Sequence, residues 1–371
     1  MQTALSNTTL SGYVDVSAQF NPNGGGGTPN YTYGNKANGI NLNVVDIALD
    51  KPLDESPWAS GYHVELWLGP DGDTLGTYTS QGNPTYIRQA YIALRTPVGN
   101  GIDWKIGVFD TIIGYESSTS GNNPNYSHSF GFNLEPTTHT GVLAAYKATD
   151  WLTAQIGVAN TSYAGNGLYS SALNNQMYTP TVMWGPTLTA PESWGWAKGG
   201  TLSIGTIMTS GNTHATPGAS TGNGAGAASY YAGFTLPTPV AALKFGGSFD
   251  YMNARDISAN SWALAAYGTY QFNDKLSISG RAEYLNAGGN DGLGIPLNGG
   301  AFNQTAAPQQ AQELTATLQY NVWENVLTRL EFRWDHVNGE NPGAGGPGYT
   351  SNTGNNQQNA FLLAAQAIYK F

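Results

Sequence analysis

Residues 262–272, WALAAYGTYQF, place an apolar or small residue at every even position from Trp262 to Phe272. Side chains of a β-strand point alternately to its two faces, so a period of two predicts a strand with one apolar face. The turn-type residues Asn273–Lys275 follow, and residues 276–284 repeat the alternation. The same pattern closes the chain at 361–371. The second half of the protein is therefore predicted to be a series of antiparallel strands.

Aromatic residues stand at the ends of these series, and small aliphatic residues occupy the middle. Strands that cross a bilayer carry such aromatic girdles at both interfaces. Short connections at 96–101, 147–150, 237–240, 273–275 and 321–325 mark the periplasmic side. The girdle on that side is predicted to contain Tyr146, Trp151, Tyr270, Phe272, Tyr320 and Phe371. The opposite girdle is predicted to contain Phe20, Tyr251, Trp262, Tyr284 and Trp334.

The composition favours a membrane protein. Only 10% of the residues are charged, against about 25% in soluble proteins, and a surface so poor in charge is hard to keep dispersed in water. The longest apolar run, 360–365, has six residues, whereas a spanning helix needs about 20. A closed barrel is the other structure in which every backbone group in lipid is paired.

We therefore predict an all-β fold, a transmembrane antiparallel up-and-down β-barrel of about 16 strands, with short periplasmic turns and long extracellular loops. Residues 1–371 are expected to form a single domain. The predicted strands cover residues 9–20, 40–50, 61–68, 86–95, 102–109, 138–146, 151–159, 178–186, 200–210, 227–236, 241–253, 261–272, 276–286, 313–321, 326–336 and 360–371. No basic or apolar leader follows Met1, so we expect a mature chain with a replacement start Met.

A family resemblance lies mainly in residues 90–142. The motifs that carry it are Ala90–Ala93, Pro97–Gly101, Gly107–Phe109, Ile113–Glu116, Asn123–Ser127 and Thr138–Val142, together with 270–284 and Ile368–Phe371. They resemble the OmpL-like family called β-barrel porin-2. The resemblance implies a general porin of the Gram-negative outer membrane, through which small hydrophilic solutes and ions diffuse passively. It is compatible with a homotrimer, and Phe371 resembles the terminal aromatic residue read by the barrel-assembly machinery.

The resemblance also implies that the third long loop, 110–137, folds into the lumen and narrows it, as in porins of this size. This loop carries Asp110, Glu116 and Glu135. The alternation predicts that charged residues of the wall face the lumen, namely Asp15, Glu65, Lys105, Lys244, Arg281, Glu283, Arg329, Glu331 and Arg333. Acidic groups on the loop and basic groups on the wall would set a transverse field across the constriction. The alternative is that Arg281–Glu283 and Arg329–Glu331–Arg333 pair among themselves along the wall.

Other classes of function find less support. A barrel enzyme would need a nucleophile and a histidine near the rim, but no Gly-x-Ser-x-Gly elbow accompanies any of the histidines His63, His128, His139, His214 and His336. A net charge of −10 disfavours nucleic acid, and we expect no cofactor and no metal. The stretch 288–292 faintly resembles a calcium loop, and 222–226 mimics a nucleotide fingerprint without a strand–helix context. A substrate-specific channel and a structural or adhesive barrel remain alternatives. Membrane lipid, small polar solutes and ions are the expected partners.

Overall fold

The computed structural model describes residues 7–22, 36, 38–75, 85–160, 180–209, 227–254, 259–287, 309–338, 349–350 and 356–371. Sixteen strands form a closed antiparallel barrel. They are β1 Thr9–Phe20, β2 Gly39–Lys51, β3 Ser60–Leu68, β4 Thr85–Thr96, β5 Ile102–Asp110, β6 Thr138–Thr149, β7 Leu152–Ala159, β8 Thr181–Thr189, β9 Thr201–Thr209, β10 Ala227–Pro237, β11 Leu243–Ala254, β12 Ala259–Gln271, β13 Leu276–Ala287, β14 Gln309–Trp323, β15 Val326–Asn338 and β16 Asn359–Lys370. Each predicted segment overlaps one of these strands, so the predicted fold is confirmed.

The apolar series point outward, as the alternation predicted. On β12, Leu264 is 54% exposed, whereas its neighbours Ala263 and Ala265 are 0% and 3% exposed. Aromatic residues of the predicted girdles, such as Trp151 and Phe272, are also exposed. The outer surface is thus apolar, and the alternate side chains turn into the barrel.

The barrel is closed where the two ends of the chain meet. β1 pairs with β16 in antiparallel register. The amide of Gly12 donates to the carbonyl of Phe371 at 3.1 Å, and the amide of Phe371 donates back at 3.0 Å. Inside the barrel, Gln366 of β16 donates to the Asp15 carboxylate of β1 at 2.8 Å and to the Ser120 hydroxyl at 2.7 Å. The seam between the first and last strands is therefore hydrogen-bonded on its inner face as well as along its backbone.

The remaining elements are short. The α-helices that the structure describes are α1 Pro70–Leu75 and α2 Phe130–Leu134, and both lie in connections between strands. A separate antiparallel ladder pairs Tyr349–Thr350 with Asn356–Gln357. Within the described ranges, no helix has the length and apolar character needed to cross a bilayer. His214 and the stretches 222–226 and 288–292 lie outside the described residues.

Candidate functional site

The connection between β5 and β6, residues 111–137, lies against inward-facing side chains of the barrel, and we call it the inner loop. At its base, the amide of Thr111 donates to the carbonyl of Thr137 at 3.0 Å. The predicted loop began at 110, but β5 continues through Asp110, so that this residue belongs to the wall. The inner loop contains α2 and a 3₁₀ turn at Ser120–Asn122.

Glycines of the wall provide space for the start of the inner loop. A Cβ atom on Gly205 of β9 would contact the Ile113 side chain, and one on Gly246 of β11 would overlap the Tyr115 hydroxyl. Tyr115 also stacks on Tyr267 of β12, with ring centroids 4.0 Å apart. The side chains of the loop therefore fill space that any larger wall residue would occupy.

Two wall carboxylates bind backbone amides of the inner loop. Glu283 of β13 accepts from residues 130–131 at 2.5 and 2.7 Å, where α2 begins. Glu331 of β15 accepts from residues 126–127 at 2.6 and 2.9 Å and from the Thr317 hydroxyl at 2.7 Å. Without these acceptors the backbone amides would be buried with no partner, which is costly. We refer to Glu283 and Glu331 as the wall carboxylates.

At Glu116 the acidic group lies on the inner loop instead of the wall, and hydrogen-bond donors of the loop and the wall surround it. Arg281 of β13 lies 2.9 Å from the Glu116 carboxylate, and His128 Nδ1 lies 2.8 Å from it. The Ser129 amide at 3.0 Å and the Tyr267 hydroxyl at 3.1 Å complete the set. Burial opposes the charge, but Arg281 and His128 outweigh it and hold the pKa of Glu116 at about 2. The carboxylate is therefore ionised across the physiological range.

The guanidinium groups of Arg281 and Arg333 connect the same loop to the wall. Arg281 pairs with Glu313 of β14 at 2.8 Å, and Arg333 of β15 pairs with Asp335 at 2.9 Å. Arg281 and Arg333 also donate to the carbonyl of His128. The described ion pairs of these arginines thus run to Glu116, Glu313 and Asp335, and not along the Arg281–Glu283 pairing considered from the sequence.

Arg329 binds the 3₁₀ turn of the inner loop. Its guanidinium donates to the carbonyl of Ser120 at 3.0 Å and to that of Asn123, both on the loop. It also donates to Gln319 on β14 and Gln366 on β16. Arg329 is 2% exposed, so its hydrogen bonds are made away from bulk water.

Glu135, near the end of the inner loop, faces another carboxyl group. It is buried, and the nearby Asp250 of β11 acts on it electrostatically. Burial, and then the charge of Asp250, raise the pKa of Glu135 well above its ordinary value. Two carboxyl groups so close cannot both ionise readily. Both effects favour the protonated form of Glu135.

Lys105 and Asp110 lie on a different part of the inner surface, away from the wall carboxylates. The Asp110 carboxylate is 2.6 Å from Arg88 of β4. The Lys105 ammonium lies 4.7 Å from the centre of the Tyr91 ring, on β4. Next to it, His63 of β3 stacks on Tyr91 with centroids 5.4 Å apart.

Of the twelve charged residues predicted for the lumen, the structure brings seven to the inner loop or its contacts, namely Glu116, Glu135, Arg281, Glu283, Arg329, Glu331 and Arg333. Lys105 and Asp110 are separate from this group. Sequence reasoning missed Arg88, Glu313 and Asp335 as partners. Two of them could have been found, because Glu313 and Asp335 occupy the same alternate positions as Thr315 and Arg333.

Solved outer-membrane proteins share this architecture. OmpF of Salmonella typhi, in complex with daunomycin, has a TM-score of 0.63 at 13% identity, covering 98% of this chain and 97% of that one. The outer membrane channel DcaP of Acinetobacter baumannii has a TM-score of 0.62 at 12% identity, covering 98% and 97%. The trimer form of OmpT from Vibrio cholerae has a TM-score of 0.57 at 12% identity, covering 98% and 99%. At these identities the likeness shows the fold alone.

The sequence itself carries the family assignment. No curated protein is significantly similar in sequence. The family model described as "Putative beta-barrel porin-2, OmpL-like" matches residues 7–371, which includes every barrel strand and the whole inner loop. The chain belongs to the OmpL-like β-barrel porin-2 family.

Proposed function

We propose that solutes cross the barrel along the inner surface of β2–β7, beside the inner loop. The chain is a porin, a channel for passive diffusion of small hydrophilic solutes and ions. Its inward-facing charges differ in their access to water. The side chains of Asp50, Asp103 and Asp110 are 36%, 42% and 41% exposed. Those of Arg281 and Glu313, beneath the inner loop, are both 0% exposed. This contrast carries the proposal.

The buried charges then have a different role from the one expected of a constriction lining. Arg281, Glu283, Arg329, Glu331 and Arg333 bond the inner loop to the wall. In our proposal they set the width of the channel by fixing the loop, and permeating solutes do not touch them. Charges that face water, including Lys105 and Asp110, act on the permeating ions.

A charge reversal tests this path. Lys105→Glu places a negative charge beside the proposed route, so we expect the reversal potential in a salt gradient across a planar bilayer to shift towards cation preference. Lys275→Glu makes the same chemical change in the exposed turn after β12 and serves as the matched control. Equal reversal potentials for the two variants would contradict a route along β2–β7.

We further propose that residues 1–371 form one domain that assembles as a homotrimer and catalyses no reaction. The family and the fold point to the bacterial outer membrane. The trimer form of OmpT supports the assembly by analogy. Light scattering of the protein in detergent, corrected for bound detergent, should give three times the chain mass, and a single chain mass would reject the trimer.

A further inference from the structure

A cavity of about 310 Å³ lies on the water-accessible side of the lumen. It is lined by residues of β2–β7, including Tyr62, Tyr91 and Gln155. The charged residues of its lining are Asp50, Lys51, Asp103 and Lys105. This volume is at the lower end of the range for small-molecule sites. The cavity is separate from the contacts that hold the inner loop.

Tyr91 of the cavity lining belongs to an aromatic stack that has opposite charges at its two ends. In the sheet, Asp50 is directly opposite His63, and His63 is directly opposite Tyr91. The rings of His63 and Tyr91 stack at an interplanar angle of 23°. The Asp50 carboxylate contacts His63 Nδ1 at 3.0 Å, and the Lys105 ammonium lies over the Tyr91 ring. The order along this stack is therefore carboxylate, imidazole, phenol and ammonium.

The charges at the two ends are available to a solute. Asp103, the other acidic residue of the lining, is already paired, because Arg95 donates to its carboxylate at 2.8 and 3.1 Å. Lys105, in contrast, has no carboxylate within 4.0 Å among the residues that the structure describes. The Asp50 side chain is 36% exposed, and it contacts His63 through one carboxylate oxygen.

The spacing suits a small molecule that carries both charges. The backbones of Asp50 on β2 and Tyr91 on β4 are two strand spacings apart, about 10 Å, and the Lys105 nitrogen lies above Tyr91. An α-amino acid with a hydrogen bond of about 2.8 Å at each end spans roughly 9 Å. A simple anion would meet repulsion from Asp50, and a simple cation would meet repulsion from Lys105.

We propose that this cavity binds a small zwitterion of the α-amino acid class during its passage through the porin. The solute carboxylate binds the Lys105 ammonium, the solute ammonium binds the Asp50 carboxylate, and the side chain of the solute packs on the Tyr91 ring. This assignment rests on the proposed diffusion path along β2–β7. It adds a preferred class of solute to a channel that otherwise selects by size and charge.

Uptake of radiolabelled alanine into proteoliposomes, measured against concentration, tests the proposal. We expect the wild-type flux to saturate. Lys105→Met and Asp50→Asn should each raise the half-saturating concentration about tenfold, since each removes a hydrogen bond between charged groups. Lys244→Met is the matched control, because Lys244 also faces inward but lies on β11 and outside the cavity lining. This control should saturate as the wild type does. Propionate and propylamine, which carry one charge each, should not saturate.

Three results would overturn the proposal. The first is alanine flux that stays linear with concentration, and the second is saturation that is identical in wild type, Lys105→Met and Asp50→Asn. The third is propionate flux that saturates as alanine does, which would make the cavity a plain anion site. Conductance of each variant in planar bilayers reports folding and pore formation separately. If the wild type conducts ions normally while its alanine flux stays linear, the zwitterion site fails and the channel function stands.

Discussion

Replacing one wall carboxylate should partly release the inner loop from the barrel. Glu331 accepts hydrogen bonds from the amides of residues 126–127 and from the Thr317 hydroxyl. Glu331→Gln keeps the shape of the side chain but replaces one acceptor oxygen with an NH₂ group. One of the two backbone amides at 126–127 then faces this NH₂ group, which cannot accept its hydrogen bond, and the amide loses its partner.

The magnitude follows from that change. A hydrogen bond to a charged acceptor contributes about 1.5–3 kcal/mol, and a buried N–H left unsatisfied costs about 1–3 kcal/mol more. We take about 3 kcal/mol, near the lower end of that sum, which raises the population of the locally opened loop on the order of 100-fold. Local opening of this kind is measurable without unfolding of the barrel.

The chain has no cysteine, so a single introduced thiol reports on the loop. Ser118 of the inner loop is buried at 7% exposure, and Ser118→Cys should react slowly with a water-soluble thiol reagent. Adding Glu331→Gln should speed the reaction on the order of 100-fold, by the energy above. Glu324→Gln, in the exposed turn between β14 and β15, makes the same chemical change away from the loop. Equal labelling rates in these two double variants would refute the role of the wall carboxylates.

Three further outcomes are expected. Gly246→Val should displace Tyr115, at a cost of about 1–3 kcal/mol for overpacking, and change the single-channel conductance; an unchanged conductance would show that Gly246 does not seat the loop. Burial, and then the charge of Asp250, raise the pKa of Glu135. The stability that its protonated form contributes is therefore complete at low pH and is lost as pH rises through that pKa. Raising the pH should therefore alter the conductance of the wild type and alter that of Glu135→Gln less, and identical pH profiles would contradict this. Leu264→Arg, on the lipid face, should destabilise the barrel by about 2–4 kcal/mol in urea titrations in vesicles, and an unchanged midpoint would argue against lipid contact there.

The strand pattern could be predicted because it is local. Each strand carries its own alternation, and residues 276–286 were expected where β13 covers Leu276–Ala287. β14 is longer than predicted, since it begins at Gln309 rather than at 313. Its first residues are polar on both faces, so alternation gives no signal there. These residues are part of the strand because their backbone pairing with β13 and β15 continues beyond the predicted start, as in the pairing of Gln310 with Asn286.

The wall charges were predicted to point inward, but their partners could not be. The contact of Glu283 with Gly131 joins residues 152 positions apart. It depends on the path of the inner loop, and no short-range pattern encodes that path. Arg88 was missed for a different reason. The exposed Ile92 and Leu94 place even positions of β4 on the outer face, so alternation alone would have turned Arg88 outward. The pairing between β3 and β4 shifts at Glu65/Leu66, and this bulge brings Arg88 to the inner face.

The hydrogen bonds of Gln366 to Asp15 and Ser120 have a consequence for biogenesis. Asp15 lies on the first strand of the barrel and Gln366 on the last, and these two strands become neighbours when the barrel closes. The hydroxyl of Ser120 accepts a hydrogen bond from Gln366 of β16, next to β1. We therefore expect the inner loop to reach its final position after the barrel has closed. To separate β1 from β16, the hydrogen bond between Gln366 and the inner loop must then also be broken. The closed barrel should therefore open slowly.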